Sequence, residues 1–203
     1  MRNQVVHTTA ATEIENVVTM LTELFTQVEQ SFSKHRLSLK HKQTTARVTT
    51  QMRGTLTTLH QLIGEINRDE ALAVQATVLN VGKVYYSLLR LSYQVEKKVE
   101  DNIVFTKVAA DDMHEILQRT RALLPHVNDT LRTCNTVLAT HVKEEVDVLL
   151  TNAESATKLH EERLCTGVCH PNTANIYLQM LAYLQDILWH MKALVCENGL
   201  PII

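Results

Sequence analysis

Along almost the whole chain the apolar residues recur at intervals of three and four. That spacing gathers a stripe on one side of an α-helix rather than one face of a strand. Ile14, Val17, Val18, Leu21, Leu24, Phe25, Val28 and Phe32 form one such stripe, predicting a first helix over about 9–33. A basic connector, "KHRLSLKHKQ" at 34–43, follows it. A second helix is expected over about 44–67, with Val48, Met52, Leu56, Leu59, Leu62, Ile63 and Ile66 turned inward. Asp69 then offers an N-cap for a third helix running to about 100. Beyond the turn at 100–105, Thr106 caps a fourth expected to reach about 141, kinked or broken at Pro125. A fifth over about 142–165 and a sixth over about 171–196 complete the pattern. Alternation of period two is nowhere sustained, so no β domain is expected. The six helices fall into two sets of three, about 9–100 and about 106–196, within one domain spanning 1–203.

Composition sharpens this picture. Five Gly and three Pro in 203 residues leave few sharp turns, so the elements are long. A 45% hydrophobic fraction with only 4% aromatics favours helix packed on helix. Thr and Val are abundant for helices, above all in the first 60 residues. The net charge of −2, with both signs interspersed, carries no footprint for nucleic acid. No apolar run approaches the roughly 18 residues that cross a bilayer. The opening "MRNQVVHTTAATEIEN" lacks the apolar stretch of a secretory signal. Four Cys are too few for a disulfide framework and fit a reducing compartment. A soluble, intracellular chain is expected. The helical pattern begins almost at Met1, which suggests a piece cut from a longer protein.

Candidate chemistry is sparse. Cys165, Cys169 and His170 offer three soft ligands in one short segment, but zinc normally draws a further pair from a second knuckle. Cys134 and Cys196 are isolated, so none is available. The same stretch reads more simply as a turn, with Gly167 just past the end of helix five and Pro171 at the first position of helix six. His141 with Glu145, and Asp186 with His190, are pairs four apart that could ligate a metal from one helix face. Glu144, Glu145 and Asp147 could aim acids inward from the same helix. There is no Glu-x-x-His of the ferritin-like kind. The acid-free basic connector could touch phosphate or anionic headgroups, or simply be a solvated loop. No Gly-rich phosphate loop, nucleophile elbow or catalytic triad pattern occurs, so no enzyme is expected.

Two windows carry a family resemblance. "HEERLCTGVCHPNTANIYLQMLAYLQDILWHMKAL", 160–194, places His160, Arg163, Leu164, Gly167, Cys169, Pro171, Leu178 and Leu181 ahead of "LQDILWH". "SLLRLSYQVEKKVEDNIVFTKVAADDMHEI", 87–116, ends a helix in a polar stretch and an Ile-x-Phe-Thr turn. The two also echo each other, Leu88, Leu91 and Tyr93 matching Leu184, Ile187 and Trp189. Together they resemble the PhoU-like domain of phosphate-uptake regulators and of bacterial sodium/phosphate cotransporters. The resemblance implies an all-α, six-helix PhoU-like bundle made of two three-helix repeats. It implies a non-catalytic regulatory role in phosphate uptake, most plausibly as the cytoplasmic domain of a sodium/phosphate cotransporter at the inner face of the membrane. A free-standing PhoU-type regulator and a metal-binding helical protein are the alternatives.

The partners implied are a transporter membrane domain, other phosphate-transport proteins or a second copy. Membrane contact would come only through a fused or partner transporter. The family holds metal with carboxylates four apart, which one helical turn places on the same face. Here those positions are Leu89 and Tyr93 in the first repeat, Gln185 and Trp189 in the second. None is an anion, so no resident metal or cofactor is expected, and Leu89 and Trp189 should seek apolar surroundings.

Overall fold

The stripes close into six α-helices in a computed structural model that describes residues 2–66, 68–167 and 170–196. In chain order these are α1 (Arg2–Lys34), α2 (Leu39–Ile63), α3 (Arg68–Glu100), α4 (Lys107–Thr133), α5 (Thr136–Cys165) and α6 (Pro171–Cys196). No strand occurs among the described residues.

The helix ends follow local chemistry, and they correct several expected boundaries. Helix α1 begins at Arg2 rather than near 9. Half of the basic connector is helix: Ser38 caps α2, its side chain accepting from the His41 N–H, so α2 starts at Leu39 rather than 44. Asp69 lies inside α3, which already begins at Arg68, so it does not stand at the N-cap position.

The largest departure lies between α4 and α5. Helix α4 stops at Thr133, well short of 141, because Cys134 adopts a left-handed φ of 51°. Asn135 then caps a new helix, its side chain accepting from the N–H groups of Val137 and Leu138 at 3.0 and 3.1 Å. The apolar period runs on across this break, which hides it from the sequence. Pro125 neither ends nor interrupts α4. At the far end of α5, Gly167 takes φ 73° and its N–H reaches Leu164 O at 3.1 Å, with Pro171 opening α6. Val168 and Cys169 lie outside the described residues.

Each set of three consecutive helices, here called a triad, packs internally, and the two sets pack just as extensively against each other. Helix α1 packs on α2 and α3, and α2 on α3; likewise α4 packs on α5 and α6, and α5 on α6. The triads join through α1 against α4 and α3 against α6. Thus α1, α3, α6 and α4 form a closed ring, while α2 and α5 each lie outside it in a groove of their own triad. One apolar cluster runs through all six, from Leu24 and Phe25 through Leu88 and Leu91 to Leu117, Val146 and Leu184.

Each of these buried side chains is worth roughly 1.5–3 kcal/mol of transfer free energy. Helix α2 contributes only Val48, Met52 and Leu59 to the fully buried apolar set. Leu56, Leu62, Ile63 and Ile66, expected inward, are only half-buried. The reason is positional: α2 has neighbours on one side only and meets α3 more sparingly than α1. No described helix is long and apolar enough to cross a membrane.

Candidate interaction face

The metal-type candidates among the described residues do not converge on one point. The exposed His141 ring stands edge-on to His126 at 5.6 Å, whereas Glu145 accepts from Arg119 at 2.9 Å. Asp186 is exposed. His190 turns toward α3, its Nδ1 within 2.9 Å of Asn80 Oδ1. Burial holds the His190 pKa below its usual value of 6.5, with the Asp186 charge opposing and Lys83 reinforcing that shift. Asp147 pairs with Lys192, and Glu144 is exposed. Cys165 is exposed and free; Cys169 lies outside the described residues. Among the described residues no three His, Cys, Asp or Glu side chains come within reach of one metal ion.

Leu89, Tyr93, Gln185 and Trp189, the four positions aligned by the resemblance, are on the outer side of the ring. Tyr93 is 61% exposed on α3 and Trp189 is 63% exposed on α6, with Leu89 and Gln185 half-buried. The expectation that Trp189 seeks an apolar seat is therefore wrong within this chain. Helix α6 spends its apolar stripe on Leu184, Ile187, Leu188 and Met191, all fully buried, which leaves Trp189 facing solvent.

Tyr93 belongs to a longer feature. Leu72, Leu79, Tyr86 and Tyr93 are 62%, 60%, 59% and 61% exposed. They stand seven residues apart, so they form one ridge along the outside of α3. Beside the ridge, between α2 and α3, runs a groove of about 770 Å³. Val78, Leu79, Gly82, Tyr86 and Leu89 of α3 and Leu56 of α2 form its apolar surface. Its charged lining residues are Arg53 and Lys83, with His60 beside them and no carboxylate. Tyr85, in the same wall, has its phenol pKa raised by burial, with the Thr49 hydrogen bond opposing. The signal for this ridge was present in the sequence as a second apolar period on α3, displaced from the core stripe.

Two further histidines turned out to be structural. His41, from the basic connector, is completely buried; its Nε2 meets Glu96 Oε1 at 2.9 Å, and its Nδ1 lies 3.1 Å from Ser31 Oγ. This contact joins α1, α2 and α3 and holds the Glu96 carboxyl below its usual pKa. His35 takes a left-handed φ of 47° and meets the Nζ of Lys98 at 2.8 Å. Lys98, 5% exposed, has its ammonium 4.9 Å from the Phe32 ring centroid and 5.3 Å from that of Phe105. The connector is thus partly consumed in packing rather than being a row of solvated cations.

No protein-family model, curated protein or solved structure matches this chain.

Proposed function

We propose that this chain is a non-catalytic regulatory module of phosphate uptake. In this reading it works at the cytoplasmic side of the membrane, within or beside a sodium/phosphate cotransporter. It acts through protein contacts made by the outer face of α3 and α6. One observation carries the reading. At the positions where the resembled family places metal-holding carboxylates, this chain exposes the large rings of Tyr93 and Trp189. An exposed aromatic ring offers large contact area at little entropic cost, the usual chemistry of a contact surface. The two triads supply a rigid frame for it, because α3 and α6 pack directly on each other.

The test is the double substitution Tyr93→Glu with Trp189→Glu in the protein carried by its own cells, followed by uptake of radiolabelled phosphate. Both side chains are mostly in water, so the fold should survive, as far-UV circular dichroism will check. Uptake and its response to external phosphate should both change. Uptake identical to wild type under phosphate-rich and phosphate-poor conditions would sink the proposal.

A further inference from the structure

We infer that the groove between α2 and α3 is a docking site for an acidic amphipathic helix of a partner protein. The inference rests on reading the outside of α3 as a contact surface, and it names what that surface takes.

Three observations converge. The first is periodic: Leu72, Leu79, Tyr86 and Tyr93 repeat every seven residues and are all about equally exposed. Their ridge extends over about 31 Å at the helical rise of 1.5 Å per residue, a length matched by another helix rather than by a small molecule. The second is Gly82, in the middle of α3 and in the groove wall. A Cβ built there would meet no atom within 4 Å. Nothing inside this chain requires a glycine at that place, and glycine is a poor helix former. Its missing side chain leaves a hollow beside Leu79 and Tyr86, where a backbone or a knob from outside can approach closely.

The third is charge. Arg53 on α2 and Lys83 on α3 line the groove, and Arg90 and Lys97 follow Lys83 along α3 at intervals of seven. All four are exposed, and none forms an ion pair with a described residue. Arg90 instead lies over the Tyr183 ring at 6.0 Å.

These features choose the occupant. A second copy docked ridge to ridge would bring two basic rows together, and like charges at an interface are costly. A bilayer surface would favour the cations but is too flat to reach the hollow at Gly82. A helix with apolar residues at three and four spacing, flanked by Asp or Glu, satisfies ridge, hollow and rim at once.

The test uses a fluorescein-labelled helical peptide with Leu at the two seam positions of each heptad and Glu flanking them. A second peptide carries Lys in place of Glu. Fluorescence anisotropy with the whole protein should show the Glu peptide binding at least about tenfold more tightly than the Lys peptide. Gly82→Leu, which fills the hollow, should weaken the Glu peptide by at least about tenfold with helicity unchanged. The surface pair Arg53→Glu with Lys83→Glu should reverse the preference, and it serves even if Gly82→Leu disturbs folding.

Equal affinity for both peptides, or a reversed pair that keeps the wild-type preference, would overturn the inference. So would a dimer in sedimentation that Gly82→Leu abolishes, or Gly82-dependent binding to vesicles of phosphatidylglycerol. Peptide selectivity alongside unaltered phosphate uptake in the Tyr93/Trp189 variant would fault the phosphate reading alone. Altered uptake without peptide selectivity would fault this one alone.

Discussion

His160, 1% exposed on α5, stacks on the Tyr177 ring at 4.3 Å, and neither of its ring nitrogens meets a hydrogen-bond partner among the described residues. Burial lowers its pKa from 6.5, and the nearby Arg163 charge adds to that. The folded chain therefore takes up the imidazole proton at lower pH than the unfolded chain does. The stability tied to neutral His160 is whole above 6.5 and is lost as pH falls through that value toward the folded pKa. His190 shifts in the same direction and adds to the same fall. His160→Phe keeps an aromatic ring against Tyr177 and removes two unpartnered polar atoms. We expect it to stabilise the protein by about 1 kcal/mol at pH 7 and to shrink the loss of stability between pH 7 and 5.5. Urea titrations at the two pH values measure both; a destabilised variant with the wild-type pH dependence would refute this account. Sequence reading placed His160 in the family-like window but had no means of knowing that it was buried.

At the scale of the helix, the turn between α4 and α5 is the least anticipated part of the fold. Thr106 was expected as a cap and is one, its hydroxyl accepting from the Ala109 N–H at 3.4 Å. Asn135 falls inside the fourth helix that the period predicts, although Asn is among the best capping residues. Val137, Leu138 and Val142 sustain the three-and-four period across it, and Val137 proves to be 78% exposed. A period records which residues are apolar, whereas a break depends on one residue, Cys134, adopting φ 51°. Asn135→Ala should cost about 1 kcal/mol in urea denaturation, since two N–H groups at the start of α5 lose their acceptor. An unchanged midpoint would mean that water replaces the cap without loss. The basic connector carries the same lesson, for the cap at Ser38 moved the start of α2 and turned His41 inward to Glu96.

For the molecule as a whole, the question is whether two triads behave as one body. The contacts of α1 with α4 and of α3 with α6 run a single apolar cluster through both. Neither triad can lose its packing without exposing the other's inner surface. We therefore expect one cooperative unfolding transition, with far-UV circular dichroism and the near-UV signal of the buried Tyr85 and Tyr177 coinciding. Two separated transitions would show that the triads are independent units.

What the sequence determined unaided is the helical class, the number of helices and most of the inward stripe. These follow from hydrophobic periodicity and from caps such as Thr106, Gly167 and Pro171, all of which act over a few neighbouring residues. It also sets Leu89, Tyr93, Gln185 and Trp189 where the resemblance would put metal-holding carboxylates. Only the tertiary structure decided which of two apolar stripes on α3 is covered. The inner stripe, with Leu88 and Leu91, is taken up by the ring of helices. The outer one, from Leu72 to Tyr93, is left open because α2 stands to one side of it and does not lie over it. Burial depends on which neighbour covers a residue, and that neighbour lies far away in the chain.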